Sequence, residues 1–250
     1  MSHTSYARLF KVGTILFFHI LLVYGLVTSD YWGAILTIGF LLHYPIHNLG
    51  NAIGFHKLFS HNSFVPVKWY PKLAALLSSI SFFGDPLSYS ISHRLHHKYV
   101  DSTNDPHCPK DGLLHSYIGW ILTFNPSNKD KLIVADLIRK YPWTIPYLKI
   151  EPLVPIVFYS LVFYVSPPIG LTILLASIIS FQIAICVNML AHSDDGFGNY
   201  TATNNLFAAT IVSSIFLHRD HHNSPALYDY SSDQYVDKWG SFTKRFLTEK

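Results

Sequence analysis

His93-Arg94-Leu95-His96-His97 sets three imidazoles at i, i+3 and i+4, which on a helix project from one face. Taken alone, such a trio reads equally well as a hydrogen-bonded, partly buried polar face or as a metal site. The chain repeats it at His218-Arg219-Asp220-His221-His222, and no packing requirement calls for the same trio twice. A third cluster, His56-Lys57-Leu58-Phe59-Ser60-His61, has two histidines five residues apart. Five α-helical positions rotate by about 500°, so these rings share a face only where the helix ends between them. Asn188 and His192 stand at i and i+4 where the last long apolar segment ends, hence on one face. Convergent polar groups beside a membrane are costly unless partners or a metal compensate them. Imidazole suits zinc, copper, iron and nickel, and nine such donors exceed one tetrahedral zinc, so the donor count favours two metals.

The elements that must carry these side chains are apolar. Of 250 residues 50% are hydrophobic and only 13% charged, which places the chain among membrane proteins. A formal charge of +3 is too weak to point to nucleic acid. Cys108 and Cys186 form no C-x-x-C pair, so neither a disulfide framework nor a zinc ribbon is indicated. Four segments approach the roughly 20 residues that cross about 30 Å of hydrocarbon, at about 12–28, 31–53, 148–165 and 169–190. The first reads as a retained span, because a second follows at once with no small-residue cleavage site between. Thr28-Ser29-Asp30 and Ser166-Pro167-Pro168 turn them into two hairpins, and Pro45 and Gly50 are expected to bend the second span.

A further apolar stretch, 73–91, contains Asp85, Pro86 and several serines. One crossing there would strand His93 on the opposite side of the membrane from His56, so it reads as a helix buried in protein or lying in the interface. Residues 206–217 read the same way, and 112–124 as an amphipathic helix at the membrane boundary. With four spans, both termini, every histidine cluster and all 18 basic residues fall on one side, which the positive-inside rule makes cytoplasmic. The expected fold is an all-α membrane protein, a single domain over 1–250. Its four transmembrane helices form two hairpins, and a helical cytoplasmic cap, about 57–149 and 192–250, carries the histidines.

Three histidine boxes in this order, interleaved with two apolar hairpins, resemble the integral-membrane fatty acyl desaturases. Gly54-Phe55-His56-Lys57-Leu58-Phe59-Ser60-His61 is similar to the family's first box, His93 to Lys98 to its second, and His218 to His222 to its third. Thr103-Asn104-Asp105-Pro106-His107 resembles the stretch after the second box, and Asn188-Met189-Leu190-Ala191-His192 the N-x3-H at the base of the last span. The likeness covers roughly residues 30–240. It implies a di-iron centre that uses O2 and two electrons to place a double bond in a long acyl chain. Its ligands would be His56, His61, His93, His96, His97, His192, His218, His221 and His222, with Asn188 holding a metal through water. Asp85, Asp101, Asp105 and Asp220 are candidates to orient the rings. Lys57 stands where the family commonly has arginine, and Ile91-Ser92 where animal acyl-CoA members carry charged residues. The acyl carrier, whether CoA, ACP or lipid, therefore stays open. Electrons are expected from a separate donor, cytochrome b5-like or a ferredoxin with its reductase.

His43 and His47, also at i and i+4, read as a polar patch within the bundle, and His19 as a packed, hydrogen-bonded residue. His107 and His115 read as supports of the site or as surface residues. Two other functions compete: a di-iron hydroxylase of alkane or lipid, since similar boxes can deliver oxygen, and a histidine-rich metal transporter. The transporter would need ligands at mid-membrane, whereas these clusters sit at span ends.

Overall fold

In the computed structural model, which describes residues 3–196, 199–233 and 235–249, the chain is mostly helical. Three helical stretches are long and apolar enough to cross a membrane: Arg8–Thr28, Thr144–Val165 and Pro167–Leu190. Their outward faces carry Phe17, Val23, Val157 and Leu161, each more than half exposed. An exposed apolar belt of this kind suits lipid contact.

The segment expected as the second span takes a different form. Helix α2 (Trp32–Ile46) continues without a break into a π-helix, His47–Ser60, in which every residue but Leu49 is buried. The change of register begins two residues after Pro45, which has no N–H to continue the i→i−4 ladder. The helix then stops at Ser60, between His56 and His61, as their spacing requires. Bonding from i to i+5 also stacks residues five apart one turn above another. Both effects bring the two rings together, at 5.2 Å between centroids.

The stretch at 73–91 is not one helix but two. Helix α3 (Tyr70–Ile80) ends in a buried loop, and α4 (Pro86–Tyr99) starts afresh. The reason is local. Asp85 caps α4 by accepting from the N–H groups of Leu87 and Ser88, both at 2.9 Å, and Pro86 supplies the first helical φ. Asp85 is thus a helix cap and orients no imidazole. Helix α3 lies so close to the π-helix that a Cβ on Gly54 would stand 2.6 Å from the Ala74 Cβ. Residues 112–124 hold a π-helical turn, His115–Gly119, then a short α-helix, Trp120–Thr123, with Leu113 and Leu114 exposed. Residues 206–217 form two short helical turns, Leu206–Ile211 and Ser214–Phe216.

Beyond the last long helix, Pro167–Leu190, the chain makes a small antiparallel ribbon, His192–Asp194 with Tyr200–Ala202. His192 therefore begins a strand. The expectation that it continues the helical face of Asn188 does not hold, because the helix ends at Leu190. The core runs from Phe18 on α1 (His3–Thr28), through Phe55 and Phe59 of the π-helix and Leu87 and Leu95 of α4, to Phe181 of the last long helix.

Candidate metal centre

The second and third histidine boxes lie on α4 and on a six-residue helix, His218–Asn223. Each trio shares a helical face, yet the imidazoles do not aim at one point. They form two neighbouring groups, each with its ligand atoms within 4.8 Å of one another. The first is His56, His61, His93, His97 and His221; the second is His96, His192, His218 and His222. All nine histidines singled out by spacing are there, and each trio is divided between the groups. Residues i and i+4 of α4 serve the first and i+3 the second, while the last trio is split the other way. The groups meet where the His97 and His222 rings stack at 4.4 Å. Asn188 lies half-buried in the last turn of its helix, just before His192.

The nitrogens that converge are all Nε2. In the first group His56 and His221 approach to 2.9 Å, His97 and His221 to 2.8 Å, and His61 and His93 to 2.8 Å. In the second the His192–His218 and His218–His222 distances are 3.1 Å, and His96–His222 is 3.2 Å. Three rings have their opposite nitrogen engaged. His96 Nδ1–H donates to Asp105 at 2.8 Å, His192 Nδ1–H to Asp101 Oδ2 at 3.1 Å, and His221 Nδ1–H to the Tyr230 hydroxyl at 3.0 Å. Such a bond puts the proton on Nδ1 and leaves Nε2 with a bare lone pair. Two such lone pairs face one another at these distances only when a cation, or a proton on one of the two Nε2 atoms, lies between them. The donor set therefore fits a metal in each group, and the chemistry of imidazole admits iron.

Electrostatics keep the rings neutral. Burial, followed by repulsion from neighbouring imidazoles, holds His56, His93, His96, His218 and His221 well below the ordinary histidine value. Burial and the Arg94 guanidinium bring His61 down to about 3, and burial beside His192 brings His222 to about 4. The two carboxylates that orient His96 and His192 come from one turn. Asp101, at φ 55, ends α4 in the left-handed region, and its N–H donates to Asp105 Oδ2 at 3.0 Å. Asp101 and Asp105 thus fill the orienting role expected of them, whereas Asp220 lies beside Arg219 at the surface. His107 packs against His96 at 4.3 Å between ring centroids, its N–H donating to Asp105 Oδ1. His115 lies 3.9 Å from Asp111. His43, His47 and His19 stand apart from both groups: His47 faces Ser180, and His19 bonds to Ile15 and Gln182.

Sequence reasoning passed over three contributors. Arg94, inside the second box, donates to the carbonyls of Phe59 and Ser60 at 3.0 and 2.6 Å and pairs with Asp136 at 2.6 Å, which clamps the end of the π-helix onto α4. Lys57, which stands where the family commonly has arginine, is 1% exposed and pairs with Asp237 at 3.3 Å. Tyr230 is the third. Arg94 and Lys57 left a sign in the sequence, as charges set between candidate ligands, whereas Tyr230 left none.

Comparison with known proteins agrees with this geometry. The chain is 32% identical over 112 residues to the sn-1 stearoyl-lipid 9-desaturase of Anabaena variabilis, covering 45% of this chain and 41% of that protein. It is 39% identical over 80 residues to Delta-9 acyl-lipid desaturase 2 of Arabidopsis thaliana, covering 32% and 26%. It is 30% identical over 162 residues to the acyl-CoA Delta(11) desaturase of Spodoptera littoralis, covering 63% and 47%. The chain spans less than half the length of these relatives. The fatty acid desaturase family matches residues 31–238, a stretch that contains every histidine of both groups, and the chain belongs to that family.

Proposed function

We propose that this chain is a fatty acyl desaturase, an O2-dependent oxidoreductase that introduces a double bond into a long acyl chain. The observation that carries the reading is the convergence of nine Nε2 atoms in two adjacent groups, with the Nδ1–H groups of His96, His192 and His221 held outward by Asp105, Asp101 and Tyr230. On this reading the nine histidines would ligate two iron ions, divided as the two groups are, and Asn188 would hold a metal through water. Bound iron supplies the reduction of O2 to an oxidant able to break an unactivated C–H bond. The chain's residues hold the ligand atoms in register, keep them unprotonated and exclude bulk water. Overall, a CH2–CH2 unit, O2, two electrons and two protons give CH=CH and two waters, with the electrons brought by a separate donor, cytochrome b5-like or ferredoxin.

The same reading makes the protein a single multi-pass membrane domain. Residues 31–53, helix α2 with the first half of its π continuation, serve as the fourth crossing, which puts both termini and both histidine groups on the cytoplasmic side. The relatives' names include acyl-lipid and acyl-CoA enzymes, and Ile91-Ser92, half-turned into the core before the second box, supplies no charge for a CoA head group. This reading favours a lipid-linked or ACP-linked acyl chain over an acyl-CoA. Expression in a host that lacks its own desaturase, with lipids profiled by gas chromatography and mass spectrometry, tests this. New monounsaturated chains are expected. Hydroxylated products would identify a hydroxylase instead, and unchanged lipids with zinc in the purified protein would overturn both.

A further inference from the structure

The two histidine groups are oriented by different means. In the four-histidine group the outward supports are carboxylates, Asp105 and Asp101, supplied by the turn that follows α4. In the five-histidine group the support of His221 is a neutral phenol, Tyr230, from the C-terminal segment. A phenol on a 230s loop has no local helix to place it, and something else must fix it. Asp237 does so from one side: its Oδ2 accepts the Tyr230 N–H at 3.3 Å and its Oδ1 the Gly240 N–H at 2.9 Å. Lys57 does so from the other, with its ammonium 4.9 Å from the centre of the Tyr230 ring. All three ammonium protons have acceptors: the Tyr228 carbonyl at 2.7 Å, Ser214 Oγ at 3.2 Å and Asp237 at 3.3 Å. Lys57 follows His56 directly, so one buried ion pair ties the first box to the segment that aims a ligand of the third.

We propose that Tyr230 is a positioning residue for the five-histidine metal site, held by the buried Lys57–Asp237 pair. It fixes His221 with its proton on Nδ1 and its lone pair towards His56 and His97. The proposal rests on the reading of these histidines as iron ligands and extends it to residues that touch no metal. A purely structural Tyr230 would affect stability and leave metal retention alone.

The test is iron release. The full-length chain in detergent is loaded anaerobically with ferrous iron and challenged with a ferrous chelator, and the melting temperature of the iron-free protein is recorded in parallel. Tyr230→Phe keeps the ring and removes only the hydroxyl, which accepts from His221 and donates a long bond of 3.5 Å to the Ser224 carbonyl. Loss of such a supporting partner typically costs 10- to 100-fold in metal affinity. About half of the iron should therefore leave at least about 10-fold faster, with the other half and the iron-free melting temperature unchanged. Asp105→Asn should accelerate the opposite half. Release from Tyr230→Phe identical to wild type overturns the proposal, as does equal acceleration of both halves with a lowered melting temperature. A wild-type chain that takes up no iron overturns the desaturase reading itself, and this proposal with it.

Discussion

Asp105 accepts three hydrogen bonds at once, from His96 Nδ1–H, Asp101 N–H and His107 N–H, although burial pushes its carboxyl above the usual range. Its ionised form is therefore maintained by those donors, and removing the charge should weaken the ligand behind it. Asp105→Asn is expected to lower metal affinity by about 10- to 100-fold, measurable by chelator competition on the purified protein. Affinity equal to wild type would mean that His96 is oriented by packing alone. Lys57 offers a second test of charge. It lies deep in the protein, with burial drawing its ammonium below the ordinary lysine value against the pull of Asp237. Lys57→Met leaves Asp237 buried without its counter-ion, at a cost of about 3–5 kcal/mol. Removing both charges in Lys57→Met/Asp237→Leu should cost less than that single change. A double-mutant cycle on melting temperatures checks this, and additive losses would show that the pair is not coupled.

At the level of elements, the histidine groups depend on how closely α3 approaches the π-helix. A Cβ at Gly54 meets Ala74 Cβ at 2.6 Å and the Leu49 carbonyl at 2.9 Å, neither of which is a flexible tip. Gly54→Ala is therefore expected to cost about 1–3 kcal/mol and to shift His56, two residues on, with partial loss of bound metal. Gly33→Ala, on the same long helical element with nothing within 4 Å of the new atom, should cost neither stability nor metal. Equal effects from the two would refute the close-packing account. Much of this layer was legible beforehand. Three of the four expected spans reappear as long apolar helices, and the requirement that the helix end between His56 and His61 is met at Ser60. The π-helix was not legible, because Pro45 signals only that the α ladder must break and not the register in which it resumes. Nor was the strand at His192, since an i, i+4 spacing says nothing about a helix that stops at Leu190. Tyr230 escaped because its role depends on a contact with a residue on another element, in a segment without helical period. The division of each trio between the two histidine groups likewise depends on how α4 and the His218–Asn223 helix face each other, which no single-helix argument supplies.

The molecule as a whole carries a cluster of imidazoles buried in neutral form, and this fixes its response to pH. In the unfolded chain these histidines take up protons near pH 6.5. In the folded protein burial delays this, to about 4 for His107 and His222 and about 3 for His61, with most of their neighbours also held well below the usual value. Between pH 6.5 and about 4 the unfolded state thus binds more protons than the folded one, and stability must fall as pH falls. Each unit of depression is worth about 1.4 kcal/mol per group, so several groups acting together outweigh the marginal stability of a typical domain. Metal-free protein in detergent should accordingly lose melting temperature steeply from pH 7 to pH 5, as followed by tryptophan fluorescence. Metal occupying the Nε2 lone pairs competes with protons for the same atoms, so loading before the scan should move the steep region to lower pH. A melting temperature that stays flat over this range in the metal-free protein would show that water reaches the imidazoles and that the groups are not the closed, pre-formed ligand sets described above.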